Sequence, residues 1–279
     1  MLAVVLALVS SVAYGFTDFF GGLASRRAHV LVVGMISQPA GLLLLFPLLA
    51  VFGGVLSMPA LAWGAVAGVG GAVAYFLLFR SLAIGPMSIA SPLSALTSAI
   101  LPVIAGIAFG EQLNAQAVTG ILLGLLAVLL VSRQHEENPH PVTGRVVAMS
   151  LTSGVFISIF FIALERSPDD SGLWPLVTAR AVAAVAMALA AVVGGFAKRP
   201  GRDVVVLALG AAALDTLATA AFLLATREGL LSIVAVITAL YPAATLLMAR
   251  MVLGERLQRI QQVGLALAAG SVVVLALGS

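Results

Sequence analysis

The chain has no cysteine. That excludes a disulfide framework, a thiolate metal centre and a cysteine nucleophile. Charge is scarce: Asp, Glu, Lys and Arg make up 9% of the 279 residues, against about 25% in a soluble globular domain. The histidines, His29, His135 and His140, fall in loops or at helix ends and form no ligand cluster. There is no His-Glu-x-x-His segment, no clustered set of acids and histidines, and no glycine-rich loop ending in Lys. Membrane-embedded enzymology, a bound metal or cofactor, and ATP-driven transport by this chain are therefore not expected. No basic segment precedes the apolar run 2–8, so the first run is expected to stay as a membrane span rather than be cleaved as a leader.

What is abundant is apolar surface. Hydrophobic residues are 62% of the sequence and the mean hydropathy is +1.18. A soluble core cannot hide that much, so the lipid bilayer must be the solvent for most of the chain. The net charge of +3 would suggest nucleic acid in a soluble protein. Here the arginines sit in short loops and read as topology signals, so no nucleic-acid partner is expected.

A helix needs roughly 20 mainly apolar residues to cross the hydrocarbon core. Ten segments qualify: 2–24, 30–53, 60–80, 87–109, 115–132, 145–165, 173–196, 203–225, 231–251 and 259–278. The sequence also repeats. Gly110-Glu111-Gln112-Leu113 returns as Gly254-Glu255-Arg256-Leu257, 254 − 110 = 144 residues later, and the same offset pairs Gly85 with Gly229 and Ser88-Ile89 with Ser232-Ile233. The expected organisation is a five-helix repeat over 1–135, a polar linker over 136–143, and a second five-helix repeat over 144–279. Five crossings leave the chain on the opposite side, so the second repeat must enter inverted, as in many transporters. The expected fold is thus an all-α membrane protein of ten transmembrane helices in two inverted repeats.

Orientation follows from Lys and Arg. One side holds Arg26, Arg27, Arg80, Arg133, Arg145, Lys198, Arg199, Arg202, Arg250, Arg256 and Arg259; the other holds Arg166 and Arg227. The positive-inside rule places the first side in the cytoplasm and both termini outside it.

Each charge within a span needs a reason, because burying one costs roughly 2.5–3.5 kcal/mol on insertion scales. Asp18, Arg180 and Asp215 are the three. Asp18 shares a helix face with Tyr14. It either binds a cation or a proton, or it is an interfacial acid pairing with Arg80 or Arg26. Asp215 lies too deep for so short a side chain to reach the interface. It is expected to pair with Arg180, either as a structural pair or as part of a substrate-binding wall. Asp18 and Asp215 are the candidate proton-coupling groups.

Tyr241, a mid-helix phenol, needs a partner; Tyr75 and Trp174 are aromatic candidates too. Ser91 and Ser94, with Ser88, Thr97 and Ser98, make a hydroxyl stripe on the fourth span, and Thr238 lies on the ninth. Such hydroxyls either line a cavity or pack helices together. Pro92 and Pro102 are expected to interrupt the fourth span and Pro242 the ninth, with Pro92 and Pro242 as hinges. Glu111 and Glu255 are expected to cap the helices that follow them and to help latch a gate.

The repeated ending, Phe109–Leu113 (Phe-Gly-Glu-Gln-Leu) and Leu253–Leu257 (Leu-Gly-Glu-Arg-Leu), together with Tyr241-Pro242 and Ser98, resembles EamA-type transporters of the drug/metabolite transporter superfamily. The likeness spans nearly the whole chain. It implies secondary transport by alternating access around a central cavity between the repeats. Many members of that family export amino acids, metabolites or drugs; others import or exchange metabolites, so the resemblance does not carry direction. The first repeat departs from the pattern, carrying Thr97-Ser98 where the second has Tyr241-Pro242. Asp18 resembles the helix-one carboxylate of small multidrug members, and Phe160 lies where a second copy would fall. The resulting expectation is export of a small amphipathic, amino-acid-like metabolite across the inner or plasma membrane, with protons as the coupling ion. The alternatives are proton-coupled efflux of cationic compounds and a non-transporting membrane scaffold. A monomer suffices to build the cavity, and a dimer stays open.

Overall fold

In lipid every backbone polar group must be satisfied within the chain, which favours helices over any open sheet. The computed structural model describes residues 1–131, 142–196, 200–253 and 258–278. Its elements are α1 (Leu2–Arg27), α2 (Val30–Phe52), α3 (Met58–Ile84), α4 (Met87–Ala108), α5 (Ala115–Val131), α6 (Gly144–Glu165), a 3₁₀ turn at Asp169–Ser171, α7 (Trp174–Val193), α8 (Arg202–Glu228), α9 (Leu231–Thr238), α10 (Tyr241–Leu253) and α11 (Arg259–Gly278). The ten expected spans are all present among the described residues, with α9 and α10 forming the ninth. The second Gly-Glu motif at 254–257, most of the linker, and Arg133, Lys198 and Arg199 lie outside them.

Helix starts carry local signals. Ser57 accepts a hydrogen bond from the Ala60 amide (3.3 Å), Thr143 from Val146 (3.3 Å) and Asn114 from Ala117 (2.7 Å), each satisfying an amide that has no partner inside its helix. The ninth span breaks where Pro242 lacks an amide for the Thr238 carbonyl. There the Leu240 amide turns to the Ile237 carbonyl (3.2 Å), one residue short of α-helical spacing. The fourth span corrects the expectation: α4 runs unbroken through Pro92 and Pro102. A proline ring removes one ladder bond, and the flanking bonds hold the helix together. α2 likewise contains Pro39 and Pro47.

The two halves are built on one plan. The starts of α2 and α7, α3 and α8, α4 and α9, and α5 and α11 differ by 174 − 30, 202 − 58, 231 − 87 and 259 − 115, each 144 residues. Packing obeys the same relation. α1 packs chiefly on α8, and its equivalent α6 on α3; α4 packs on α6 as α9 and α10 pack on α1; α3 packs on α7 as α8 does on α2. The self-equivalent pairs α2 with α7, α4 with α9, and α5 with α11 also meet. Most helix contacts therefore cross between repeats, so neither half is a closed bundle by itself.

Lipid is as apolar as leucine, so close van der Waals approach must hold these helices together. Gly15 shows how. A Cβ there would lie 2.6 Å from both the Tyr241 carbonyl oxygen and Ala244 Cβ. Only glycine lets α1 cross α10 at that depth, and the Thr245 hydroxyl uses the approach to donate to the Gly15 carbonyl (3.0 Å).

Candidate functional site

The crossing of α1 and α10 brings the intramembrane polar groups towards a cavity between the repeats. Side chains of α1, α2, α3, α6, α7, α8 and α10 line it. It has about 100 Å³ of space for the centres of water-sized spheres; a single water needs ~10–15 Å³ on that measure. The volume thus suits a small organic solute better than an isolated water.

Six of the nine candidate binding residues line this cavity: Tyr14, Asp18, Tyr75, Arg180, Asp215 and Tyr241. Asp18 is buried, and its Oδ2 accepts a hydrogen bond from the Ser91 hydroxyl at 2.8 Å. Among the described residues it has no salt-bridge partner. Arg26 is turned instead to the Leu82 carbonyl (3.3 Å). The Tyr241 hydroxyl donates to the Ser91 carbonyl at 3.3 Å. Ser91 therefore joins α1 and α10 through α4 without lining the cavity itself. Tyr75 meets the Ser37 hydroxyl at 2.9 Å.

The expected Arg180–Asp215 pair is formed. A guanidinium nitrogen of Arg180 contacts Asp215 Oδ2 at 2.5 Å. Arg180 also donates to Gln38 Oε1 (3.0 Å) and Thr219 Oγ1 (3.3 Å). One cation is thus shared by acceptors on α2 and α8, which answers the cost of burying it. The side chain of Arg180 is 8% exposed and that of Asp215 is 18% exposed, and both line the cavity.

A transporter-family model described as the EamA-like transporter family matches the sequence twice, over residues 1–133 and 144–277. The chain belongs to the EamA-like transporter family. This family is one of membrane transporters in the drug/metabolite transporter superfamily. A solved crystal structure of a protein is similar over 96% of this chain and 97% of its own, with a TM-score of 0.72 and 15% identity; at that identity the likeness shows the fold alone. A search of curated proteins gives no match.

In this family member two candidate residues fall away from the cavity. Ser94 donates to Ser153 Oγ (3.4 Å) at the contact of α4 with α6, where a Cβ on Gly154 would meet the Ser94 carbonyl at 2.6 Å. That close approach covers α4 at Ser94 and Thr97. Thr238 is fully buried at the end of α9 and outside the lining. The fourth span, expected to offer Ser91 and Ser94, lends no lining side chain, while α2 contributes Gln38. Sequence reasoning missed Gln38, Thr17, Thr219, Phe79, Phe160 and Phe161 as lining residues. Gln38 was findable as a lone amide inside a span. The phenylalanines carry no such signal.

Glu111 does something other than expected. Helix α5 is capped by Asn114, and Gly110, at φ +97°, reverses the chain just before Glu111. Its carboxylate accepts from the amides of Leu231 (2.6 Å) and Ser232 (3.2 Å) and from the Ser232 hydroxyl. The first repeat thus caps α9 of the second.

Proposed function

We propose that this EamA-family chain is a secondary transporter which exports a small amphipathic solute bearing an amino group by alternating access, across the inner or plasma membrane and with both termini outside the cytoplasm. One observation carries the reading: charged groups from three helices in two repeats converge on one cavity walled by aromatic rings. A cavity between inverted halves can be exposed to either face in turn. Tyr14, Tyr75 and Tyr241 supply surface for an apolar body, and Asp18 supplies an acceptor for an ammonium group. An amino-acid-like solute would add a carboxylate near Arg180. Efflux of cationic compounds is the second reading, favoured by the fact that Arg180 is already engaged by Asp215. Many members of the family export, while others import or exchange metabolites, so the resemblance does not carry the direction and the flux assay below decides it.

Of the two acids, Asp18 is the one without a cationic partner among the described residues, and it is the proposed proton-coupling group. The hinge proposed at Pro242 would let the ninth span bend around the site. The test is flux of labelled amino acids and amines into vesicles holding purified protein, with and without a pH gradient. Asp18→Asn should abolish gradient-driven flux while the protein stays folded. A variant that still couples flux to the gradient would overturn the assignment, and absence of any solute movement in the wild type would favour the scaffold alternative.

A further inference from the structure

Asp215 occupies the position at Arg180 that the carboxylate of a bound solute would need. The structure assigns Asp215 a role as an internal mask: by holding Arg180, it sets the charge selectivity of the cavity in favour of amines and against carboxylates. The inference rests on the cavity being the substrate site.

Three of the five N–H donors of Arg180 are directed to acceptors from the protein, Asp215 Oδ2, Gln38 Oε1 and Thr219 Oγ1. Thr219 is itself fixed, because its hydroxyl donates to the Asp215 carbonyl at 2.8 Å. An incoming carboxylate would have to displace Asp215 from its cation, a costly exchange, or bind Arg180 beside a carboxylate that already neutralises it. Asp18 faces the same cavity with a single hydroxyl donor. With the pair intact, an ionised Asp18 is the charge left over, and it is negative. Asp215 acts here through Arg180, as a positioning residue for selectivity.

Three probes of similar shape separate the charge rule from simple fit to an aromatic wall: 2-phenylethylamine, phenylalanine and 3-phenylpropionate. Their affinities are measured on the purified full chain by calorimetry. The wild type should rank the amine first and the acid last. Asp215→Asn should strengthen 3-phenylpropionate by roughly tenfold or more, as expected for freeing a desolvated charge, and weaken the amine. Asp215→Glu should keep the wild-type order. Gln38→Glu, which adds a second acid to Arg180 with little change of shape, should tighten the amine several-fold relative to the acid and serves where Asp215→Asn does not fold. Arg180→Gln in the Asp215→Asn background should remove the gain for the acid. An unchanged ranking in folded Asp215→Asn or in Gln38→Glu, or a gain that persists without Arg180, would overturn the mask. Failure of the wild type to bind any of the three would instead overturn the cavity as substrate site, and the mask with it.

Discussion

Removing the Glu111 carboxylate should loosen α9 measurably. Three donors converge on it: the Leu231 and Ser232 amides and the Ser232 hydroxyl. The residue at the N-cap of α9, Leu230, has no side chain able to take over. Losing an N-cap costs about 1 kcal/mol. Losing the negative charge at a helix start costs a further ~0.3–1 kcal/mol. Leaving a partly buried amide unsatisfied costs ~1–3 kcal/mol. The same bonds feed all three figures, so the total for Glu111→Ala is about 2–4 kcal/mol rather than their full sum. Each kcal/mol lowers Tm by ~2–4 °C for a chain of this size class, so Glu111→Ala should lower it by roughly 4–16 °C. Glu111→Gln keeps one acceptor and loses the charge, so it should fall by about half as much. The assay is thermal unfolding in one detergent at one scan rate, because membrane proteins commonly unfold irreversibly and the midpoint depends on rate. A Glu111→Ala midpoint within ~1 °C of wild type would refute the cap, and equal shifts for Ala and Gln would show that the charge contributes nothing.

Gly15→Leu should prevent folding by forcing a side chain into the Tyr241 carbonyl, whereas Gly210→Ala, at a position with nothing within 4 Å of a new Cβ, should be neutral or mildly stabilising; size-exclusion profiles of the two distinguish them. Arg180→Ala should destabilise by ~3–5 kcal/mol because it leaves Asp215 buried without its partner, and the double variant Arg180→Ala, Asp215→Ala should be less harmed than the single one by melting temperature. His29 lies between α1 and α2, accepts from the Leu31 amide (3.4 Å) and stacks on Phe196. Burial and then the charge of Arg80 lower its pKa from the ordinary 6.5. The fold therefore holds the neutral ring, and this stabilisation is complete above the unfolded value and lost as pH falls towards the folded one. Wild-type stability should drop more than that of His29→Asn between about pH 7 and pH 5.

The fold was legible because lipid leaves a chain few options. Apolar runs of spanning length, separated by Gly, Pro and Arg, define helices almost without reference to tertiary structure. The repeat offset then fixed the symmetry, and the helix starts keep to it through four pairs. The cavity was partly legible for a related reason: in so apolar a chain, Asp18, Arg180 and Asp215 had few places to go. Orientation around a helix axis was not legible. Ser91 and Ser94 lie on one helix and look alike in sequence, yet one bonds Asp18 and the other packs against Ser153. Nor could sequence show that Glu111 reaches across to α9, because a capping acid reads as local until the turn at Gly110 is known. Proline misled in α4 because a missing amide breaks a helix only where the surrounding bonds also give way.

Duplication explains the scaffold, and divergence explains why it holds one site rather than two. At the common offset, Arg180 corresponds to Ile36 and Asp215 to Gly71, while the stretch of α6 matching the neighbourhood of Asp18, Ile159–Ala163, is apolar throughout. Every charge in the cavity is therefore present once. Close packing, by contrast, occurs in both halves, though not at matching positions: Gly15 lets α1 approach α10, and Gly154 lets α6 approach α4. Two symmetry-related arrangements of the same helices need not differ much in packing energy, because the same kinds of contact are exchanged between equivalent partners. In the transport cycle proposed above, the unique charges would supply what the symmetric packing lacks, a difference between the arrangements that a solute or proton can act on. A ligand can shift such a balance only by its differential affinity for the two states. On the alternating-access reading proposed above, control of the cycle would rest on Asp18 and the Arg180–Asp215 pair, and the glycine contacts would keep the two states within reach of each other.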